Sequence, residues 1–258
     1  MDYDIIGDIH GHADELEHLL QKLGYRKQGS SYKHGDDRKV VFLGDFIDRS
    51  PKIKEVLHIA KSMVDSGNAE AIMGNHEFNA IAFHTPKRDN KNAYYRENSE
   101  KNISQHYRTL EQFNAFPNEW QMYLDWVKSL PIYIDLEEFR AVHACWNDEH
   151  LDWLEHNFEK FDIDFLDQAT AKNSKAFLVT EELLKGKEQK LHDGYFFHDK
   201  DGNRRDECRV KWWQPTEERK TYGDVLMACP EGIANHPLPA TEFHHYPNEK
   251  PVFLDTIG

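Results

Sequence analysis

Short apolar runs alternate with amphipathic stretches through the first third of the chain. Tyr3 to Ile6, Val40 to Leu43 and Ala69 to Met73 are bounded by polar residues and are too short for helices, so each reads as a strand. Between the first two, Leu16, Leu19, Leu20 and Leu23 fall on one helical face over residues 13–23. Asp14 and Glu15 occupy the first turn of that helix, and Gly24 is its stop. Ile53, Val56, Leu57, Ala60 and Val64 predict a second amphipathic helix over 53–64. Strand alternating with helix in this way predicts a βαβαβ half, with parallel strands and right-handed crossovers.

The pattern changes after residue 84. Lys, Arg, Asn and Tyr displace aliphatic residues to about 104, and helical segments follow at 106–113 and 120–129, closed by Pro131. This region, about 84–130, is expected to be a helical excursion over the ends of the first strands. Residues 132–136 and 139–142 read as paired strands joined at Glu137-Glu138, and 147–190 as mixed and mainly helical, with Leu151, Leu154 and Phe158 on one face. Residues 190–209 are turn-rich, and Asp193-Gly194 and Asp201-Gly202 suggest a hairpin. Lys250 to Leu254 reads as a late strand. Repeats and long linkers are missing, so residues 1–258 are expected to form a single α/β domain.

Composition narrows the function. The formal charge of −14, from 46 acidic against 32 basic residues, argues against extended nucleic-acid binding, which draws its affinity from Lys and Arg on phosphates. Met1-Asp2-Tyr3-Asp4 lacks a basic, apolar leader, and no apolar run approaches a membrane span. The 3 cysteines, Cys145, Cys208 and Cys229, are widely spaced with no Cys-x-x-Cys pair, which fits free thiols in a reducing cytoplasm. A cytoplasmic protein without membrane partners is expected, of open oligomeric state.

Three motifs carry the chemistry. Gly7-Asp8-Ile9-His10-Gly11, Gly44-Asp45-Phe46-Ile47-Asp48-Arg49 and Gly74-Asn75-His76-Glu77 each follow one of the early strands, where α/β sheets present ligands. Their Asp, His and Asn side chains form a mixed oxygen and nitrogen set suited to hard or borderline divalent cations. His143 ends a later strand in Arg140-Ala141-Val142-His143-Ala144 and is a further candidate ligand. Asp48 could also cap the helix that begins near Pro51. Arg209-Val210-Lys211-Trp212-Trp213-Gln214-Pro215 joins positive charge to aromatics and could line a phosphate pocket or pack a strand edge.

In order and spacing the three motifs, with Val142-His143-Ala144, resemble the calcineurin-like metallophosphoesterases. Within them the chain looks most like the bacterial branch near phosphoprotein phosphatases and symmetrical diadenosine tetraphosphatases. The resemblance implies a two-sheet β-sandwich flanked by helices, and two divalent cations, Mn²⁺ foremost, with Fe, Zn or Co as alternatives. It assigns Asp8, His10 and Asp45 to one cation, and Asp45, Asn75 and His143 to the other, Asp45 bridging. It makes His76 the proton donor to the leaving group, Asp48 its orienting carboxylate, and Arg49 a phosphate ligand; Arg209 is a further candidate substrate contact.

The implied activity is hydrolysis of phosphate monoesters or anhydrides by a metal-bridging hydroxide, on a phosphorylated small molecule, a nucleotide or a phosphoprotein. The main reading is phosphoprotein phosphatase-like. A dinucleoside polyphosphate hydrolase is the alternative, and a catalytically impaired metal-binding interaction protein is a third reading. Two departures stand out. Ser50 replaces the usual Gly after Arg49, and the late strand ends in Asp255-Thr256-Ile257-Gly258 rather than the Gly-His that supplies a last ligand. His244 or His245 are candidate substitutes for that ligand.

Overall fold

The computed structural model describes the chain apart from residues 192–193, 199–201, 203, 215–219, 239–245, 247, 249 and 256–258. His244 and His245, and the Asp of each Asp-Gly pair expected in the hairpin, therefore lie outside the described residues. The first half runs β1 (Tyr3–Ile6), α1 (Ala13–Lys22), β2 (Arg26–Gln28), β3 (Ser31–Lys33), β4 (Lys39–Phe42), α2 (Ile53–Asp65), β5 (Ala69–Ala71) and α3 (Asn75–His84). Helices α4 (Glu100–Phe113) and α5 (Pro117–Lys128) precede β6 (Tyr133–Asp135) and β7 (Arg140–Val142). Then come α6 (Asp148–Asn157), α7 (Ile163–Ala169), α8 (Lys175–Lys185), β8 (Glu188–Lys190), β9 (Phe197–His198), β10 (Arg204–Arg205), β11 (Glu207–Arg209), α9 (Tyr222–Val225) and β12 (Val252–Phe253).

Two small sheets form the centre. One is parallel, in the order β1-β4-β5; in the other β7 pairs antiparallel with β6 and parallel with β12. Period-two alternation explains how the first sheet is covered on both faces. Tyr3, Ile5, Val41 and Leu43 point one way, onto Ile134, Phe139 and Ala141 of the second sheet. Ile6, Val40 and Phe42 point the other way, among Leu16, Leu20, Val56 and Leu57 of α1 and α2. The Phe139 ring makes edge contacts with Tyr3 and Phe253, at 5.2 and 5.3 Å between centroids, which tie the sheets together. This is the mixed α/β, two-sheet architecture that the sequence implies.

The paired strands expected at 132–142 are β6 and β7, in antiparallel register with Tyr133 opposite Val142. The hairpin at 190–209 is present as nested pairs, β8 with β11 and β9 with β10. Its apolar side chains, with Tyr222, Val225, Leu226 and Ile233, form a cluster of their own. Three features depart from the sequence expectations. Residues 26–33 form the hairpin β2–β3, which has too few apolar positions to show an alternating pattern. The third motif opens no loop: Asn75 is the first residue of α3. Asp48 does not cap α2. Gln112 of α4 does so instead, its Oε1 accepting from Ile53 N at 2.8 Å and Lys54 N at 3.2 Å.

Candidate metal centre

The motifs meet beyond the carboxyl ends of β1, β4 and β5, with His143 arriving from β7. Tight backbone turns bring them there. His10, Asp45, Asp48 and Arg49 all have positive φ, at 45°, 52°, 70° and 61°. Such values are uncommon outside glycine and collect at functional sites, where the surrounding structure over-determines them. Ile9 and His10 both donate their N–H groups to the Asp45 carbonyl, at 3.1 and 2.8 Å, which clamps the first motif to the second.

Gly44, at φ 94°, allows the second motif to touch the third. A Cβ there would lie 2.4 Å from the Gly74 nitrogen and 2.6 Å from its Cα, backbone atoms that cannot give way. Gly44→Ala is therefore expected to destabilise the protein by roughly 2–4 kcal/mol, combining overpacking with left-handed strain. A urea midpoint unchanged from the parent would refute this.

Ligand geometry follows from the imidazoles. His10 donates from Nδ1 to the Ile47 carbonyl and His143 from Nδ1 to the Leu43 carbonyl, both at 2.7 Å. Because a carbonyl can only accept, Nδ1 carries the proton in both rings, and the neutral form of each would turn an Nε2 lone pair inward, the arrangement usual for metal-bound histidine. His10 Nε2 lies 3.3 Å from Asp8 Oδ2 and 3.6 Å from Asp45 Oδ2. His143 Nε2 lies 3.7 Å from Asp45 Oδ1 and 3.0 Å from Asn75 Oδ1. The two oxygens of Asp45 thus face two different sets of donors, as a bridging carboxylate must. Ligand atoms of Asp8, Asp45 and His143 all lie within 4.8 Å of one another.

The donor set fits cations. Asp8 Oδ1 and His10 Nε2 are buried without a hydrogen-bond partner, an expensive arrangement unless something else binds there. Burial pushes the Asp8 carboxyl up, but His10 and His143 outweigh it and hold the group below its usual range. For His10, burial pulls down and is outweighed by Asp8 and Asp45, which raise it. Both shifts record how strongly the acidic and imidazole groups of this cluster interact, and a divalent cation held among them would neutralise the carboxylates in place of a proton.

The surrounding residues hold this geometry. Glu77, fully buried, accepts backbone N–H bonds from Asp45 at 2.7 Å, Phe46 at 2.9 Å and Gly74 at 3.1 Å. Burial and the adjacent Asp45 carboxylate push Glu77 upward. At the end of β12, Asp255 accepts from the Asp8 N–H at 2.5 Å, while its own N–H donates to the His143 carbonyl at 2.9 Å. The late strand thus delivers a carboxylate that braces the first motif. Cys145, two residues beyond His143, is buried, and burial raises its thiol well above the ordinary range.

His76 donates from Nδ1 to Asp48 Oδ2 at 2.6 Å, and its Nε2 lies 3.9 Å from Asp45 Oδ2, at the edge of the ligand cluster. Both residues line a cleft of about 1520 Å³ together with Arg49 and Arg209. Arg49 is exposed, and among the described residues neither Arg49 nor Arg209 forms an ion pair. Ser50, in place of the usual Gly, sets its hydroxyl 2.6 Å from His12 Nε2. The aromatic segment after Arg209 divides its roles. Trp212 is buried and donates to the Ala144 carbonyl at 3.1 Å, whereas Arg209 faces the cleft. The sequence reading missed Glu77, Asp255 and two residues of α4, His106 and Thr109, that hydrogen-bond Asp48. Of these only Glu77 carried a signal, as the last residue of a motif.

No helix among the described residues is long and apolar enough to cross a membrane. The calcineurin-like phosphoesterase family model matches residues 1–250. The chain is 46% identical over 76 residues to the asymmetrical bis(5'-nucleosyl)-tetraphosphatase PrpE of Halalkalibacterium halodurans, covering 30% of this chain and 31% of that protein. A longer match, 30% identical over 152 residues, joins it to the protein of the same name from Geobacillus sp. strain WCH70, over 56% of each chain. The matched stretches thus span about a third to a half of these relatives' length. Among solved structures, the cold-active protein-tyrosine phosphatase of a psychrophilic Shewanella is similar at 21% identity and a TM-score of 0.42, over 71% of this chain and 53% of that one. Proteins of this family use a dinuclear divalent metal site, and the ligand groups gathered around Asp45 are of that kind. With the family model matched along nearly its whole length, the chain belongs to the calcineurin-like phosphoesterases.

Proposed function

We propose that the protein hydrolyses phosphate monoesters or anhydrides with water as the nucleophile, at a centre of two divalent cations, foremost Mn²⁺. The observation that carries this reading is Asp45, whose Oδ2 faces His10 while its Oδ1 faces His143. Asp8, His10 and Asp45 would hold one cation, and Asp45, Asn75 and His143 the other. When bound, such cations lower the pKa of water toward neutrality and stabilise charge on phosphoryl oxygens. The protein's own groups do the rest. Arg49 and Arg209 bind and orient the phosphoryl group with guanidinium forks that match its oxygens. His76 supplies a proton from Nε2 to the departing oxygen, and Asp48, bonded to Nδ1, keeps the imidazole oriented. No covalent phosphoenzyme forms.

Phosphoprotein-like monoesters are the first substrate class. A dinucleoside polyphosphate is the second reading: beyond Arg49 the same mixed-charge cleft is lined by Arg96, Arg108, Arg204 and Arg205, of which Arg108 pairs with Glu111 and Arg205 with Glu188. The names of the PrpE relatives point the same way. Rates on a phosphopeptide and on diadenosine tetraphosphate separate the two readings.

The second cation is expected to bind more weakly than the first. Its set holds one carboxylate, Asp45, where the first has Asp8 and Asp45, and the late strand brings Asp255, bonded to the Asp8 N–H, where relatives of the resembled family place a histidine. Loss of an imidazole removes a strong donor for Mn²⁺, Fe²⁺ or Zn²⁺. Activity on p-nitrophenyl phosphate should therefore rise steeply with added Mn²⁺, and the protein as isolated should carry about one metal or less. Two equally tight sites in titration calorimetry, unaffected by His244→Ala or His245→Ala, would overturn this expectation.

A further inference from the structure

Asp48 is held by more than His76. Its Oδ2 accepts from His76 Nδ1 at 2.6 Å, while its Oδ1 accepts from His106 Nδ1 at 2.7 Å and from Thr109 Oγ1 at 2.6 Å. The Thr109 hydroxyl also accepts from the Asp48 N–H at 3.1 Å, so side chain and backbone of Asp48 are gripped together. His106 and Thr109 are both buried and lie three residues apart on α4, which places them on one face of that helix. Behind His106, His84 Nε2 lies 3.1 Å from His106 Nε2, and the rings of Phe83 and Trp120 pack at 5.2 and 6.0 Å. Among the described residues, none of these His106 contacts is a candidate metal ligand.

A carboxylate bonded to one imidazole alone keeps a broad terminal torsion, and its plane can turn. Donors on both oxygens, from α3 and α4, remove that freedom. They also offset the left-handed backbone of Asp48, at φ 70°. We propose that His106 is a positioning residue for His76: with Thr109 it fixes the Asp48 carboxylate so that its other oxygen aims the His76 ring at the leaving group. The bonds are charge-assisted. Burial pushes the Asp48 carboxyl up, yet the hydrogen bonds from His106 and His76 outweigh it and hold the group well below the usual carboxylate range.

This inference rests on the reading of His76 as the proton donor, and its test separates the two. Phenyl phosphate and p-nitrophenyl phosphate are nearly the same size, but only the first has a leaving group that needs a proton. His106→Ala is expected to lower kcat on phenyl phosphate by roughly 10–100-fold, the usual cost of losing a residue that orients a functional group. The loss on p-nitrophenyl phosphate should be several-fold smaller, with KM and metal content unchanged. His106→Asn, whose amide N–H can reach Asp48 Oδ1, should recover much of the rate and guards against a folding defect in the alanine variant. Equal losses on both substrates, or no recovery with Asn at parent melting temperature, would overturn the proposal. His76→Ala is measured alongside. If it discriminates between the substrates and His106→Ala does not, only the positioning role falls; if neither discriminates, the proton-donor reading falls with it.

Discussion

Asp45→Asn is expected to abolish binding of both cations and to lower kcat by roughly 10³-fold or more, because several kcal/mol of charge stabilisation disappear together. The substitution is isosteric, so the effect cannot be assigned to packing. In the parent, Asp45 Oδ2 stands 3.6 Å from His10 Nε2, and Oδ1 stands 3.7 Å from His143 Nε2. An amide places a nitrogen with two N–H donors at one of these positions and removes the charge shared by the two sites. The fold should survive, since Asp45 contributes its backbone N–H to Glu77 and its carbonyl to Ile9 and His10, and the one backbone N–H its side chain accepts, from His76 to Oδ1 at 3.0 Å, can be accepted equally by the amide oxygen of Asn. Stability of the metal-free protein should even rise slightly, because Asp45 and Glu77 are neighbouring buried carboxyls and their repulsion is one cause of the raised Glu77. Metal analysis after gel filtration, with thermal unfolding in chelator, checks both halves. Retention of two cations by the Asn variant would show that Asp45 does not bridge.

His76→Ala is expected to keep its metal and lose rate, by roughly 10²–10⁴-fold for a general acid. The ring makes one strong bond, from Nδ1 to Asp48, and leaves Nε2 facing the ligand cluster. Truncation therefore removes a proton source without removing a ligand: Asn75, its neighbour, is fixed as the first residue of α3, and Asp45 still faces His10 and His143. The loss should shrink for leaving groups stable as anions, since p-nitrophenolate departs unprotonated. A plot of log kcat against leaving-group basicity should be steeper for the variant than for the parent. Parallel lines would mean that His76 acts through charge alone. Loss of metal together with rate would place it among the ligands instead.

The candidate ligands and their order along the chain were readable early because local rules suffice for them. A buried strand must be apolar, and it must end where polar groups can resume. In this sequence each of three such ends is followed directly by Gly and a carboxylate or amide, at Gly7-Asp8, Gly44-Asp45 and Gly74-Asn75. The helices over 13–22 and 53–65 were legible through their spacing of aliphatic residues, a property of one segment at a time. The β2–β3 hairpin, with every residue of β2 exposed, carried no such pattern.

What surrounds the ligands was decided by tertiary structure. His106 looked like one of many polar residues on an amphipathic helix, and its role depends on meeting Asp48, 58 residues earlier in the chain. Asp255 seemed to be the mere absence of a histidine, yet parallel pairing of β12 with β7 carries it onto the amide of Asp8, 247 residues away. The capping of α2 passed from the nearby Asp48 to the distant Gln112, which left Asp48 available to two imidazoles. Periodicity and motif spacing report only which residues share a strand or a helix face. They carry no information about which faces meet, because that is set by how the sheets and α4 pack. By itself, then, this sequence determined the candidate metal-binding side chains and the strands that present them. Only the folded chain decided the hydrogen bonds that aim them, because those join segments whose separation in sequence no local pattern can span.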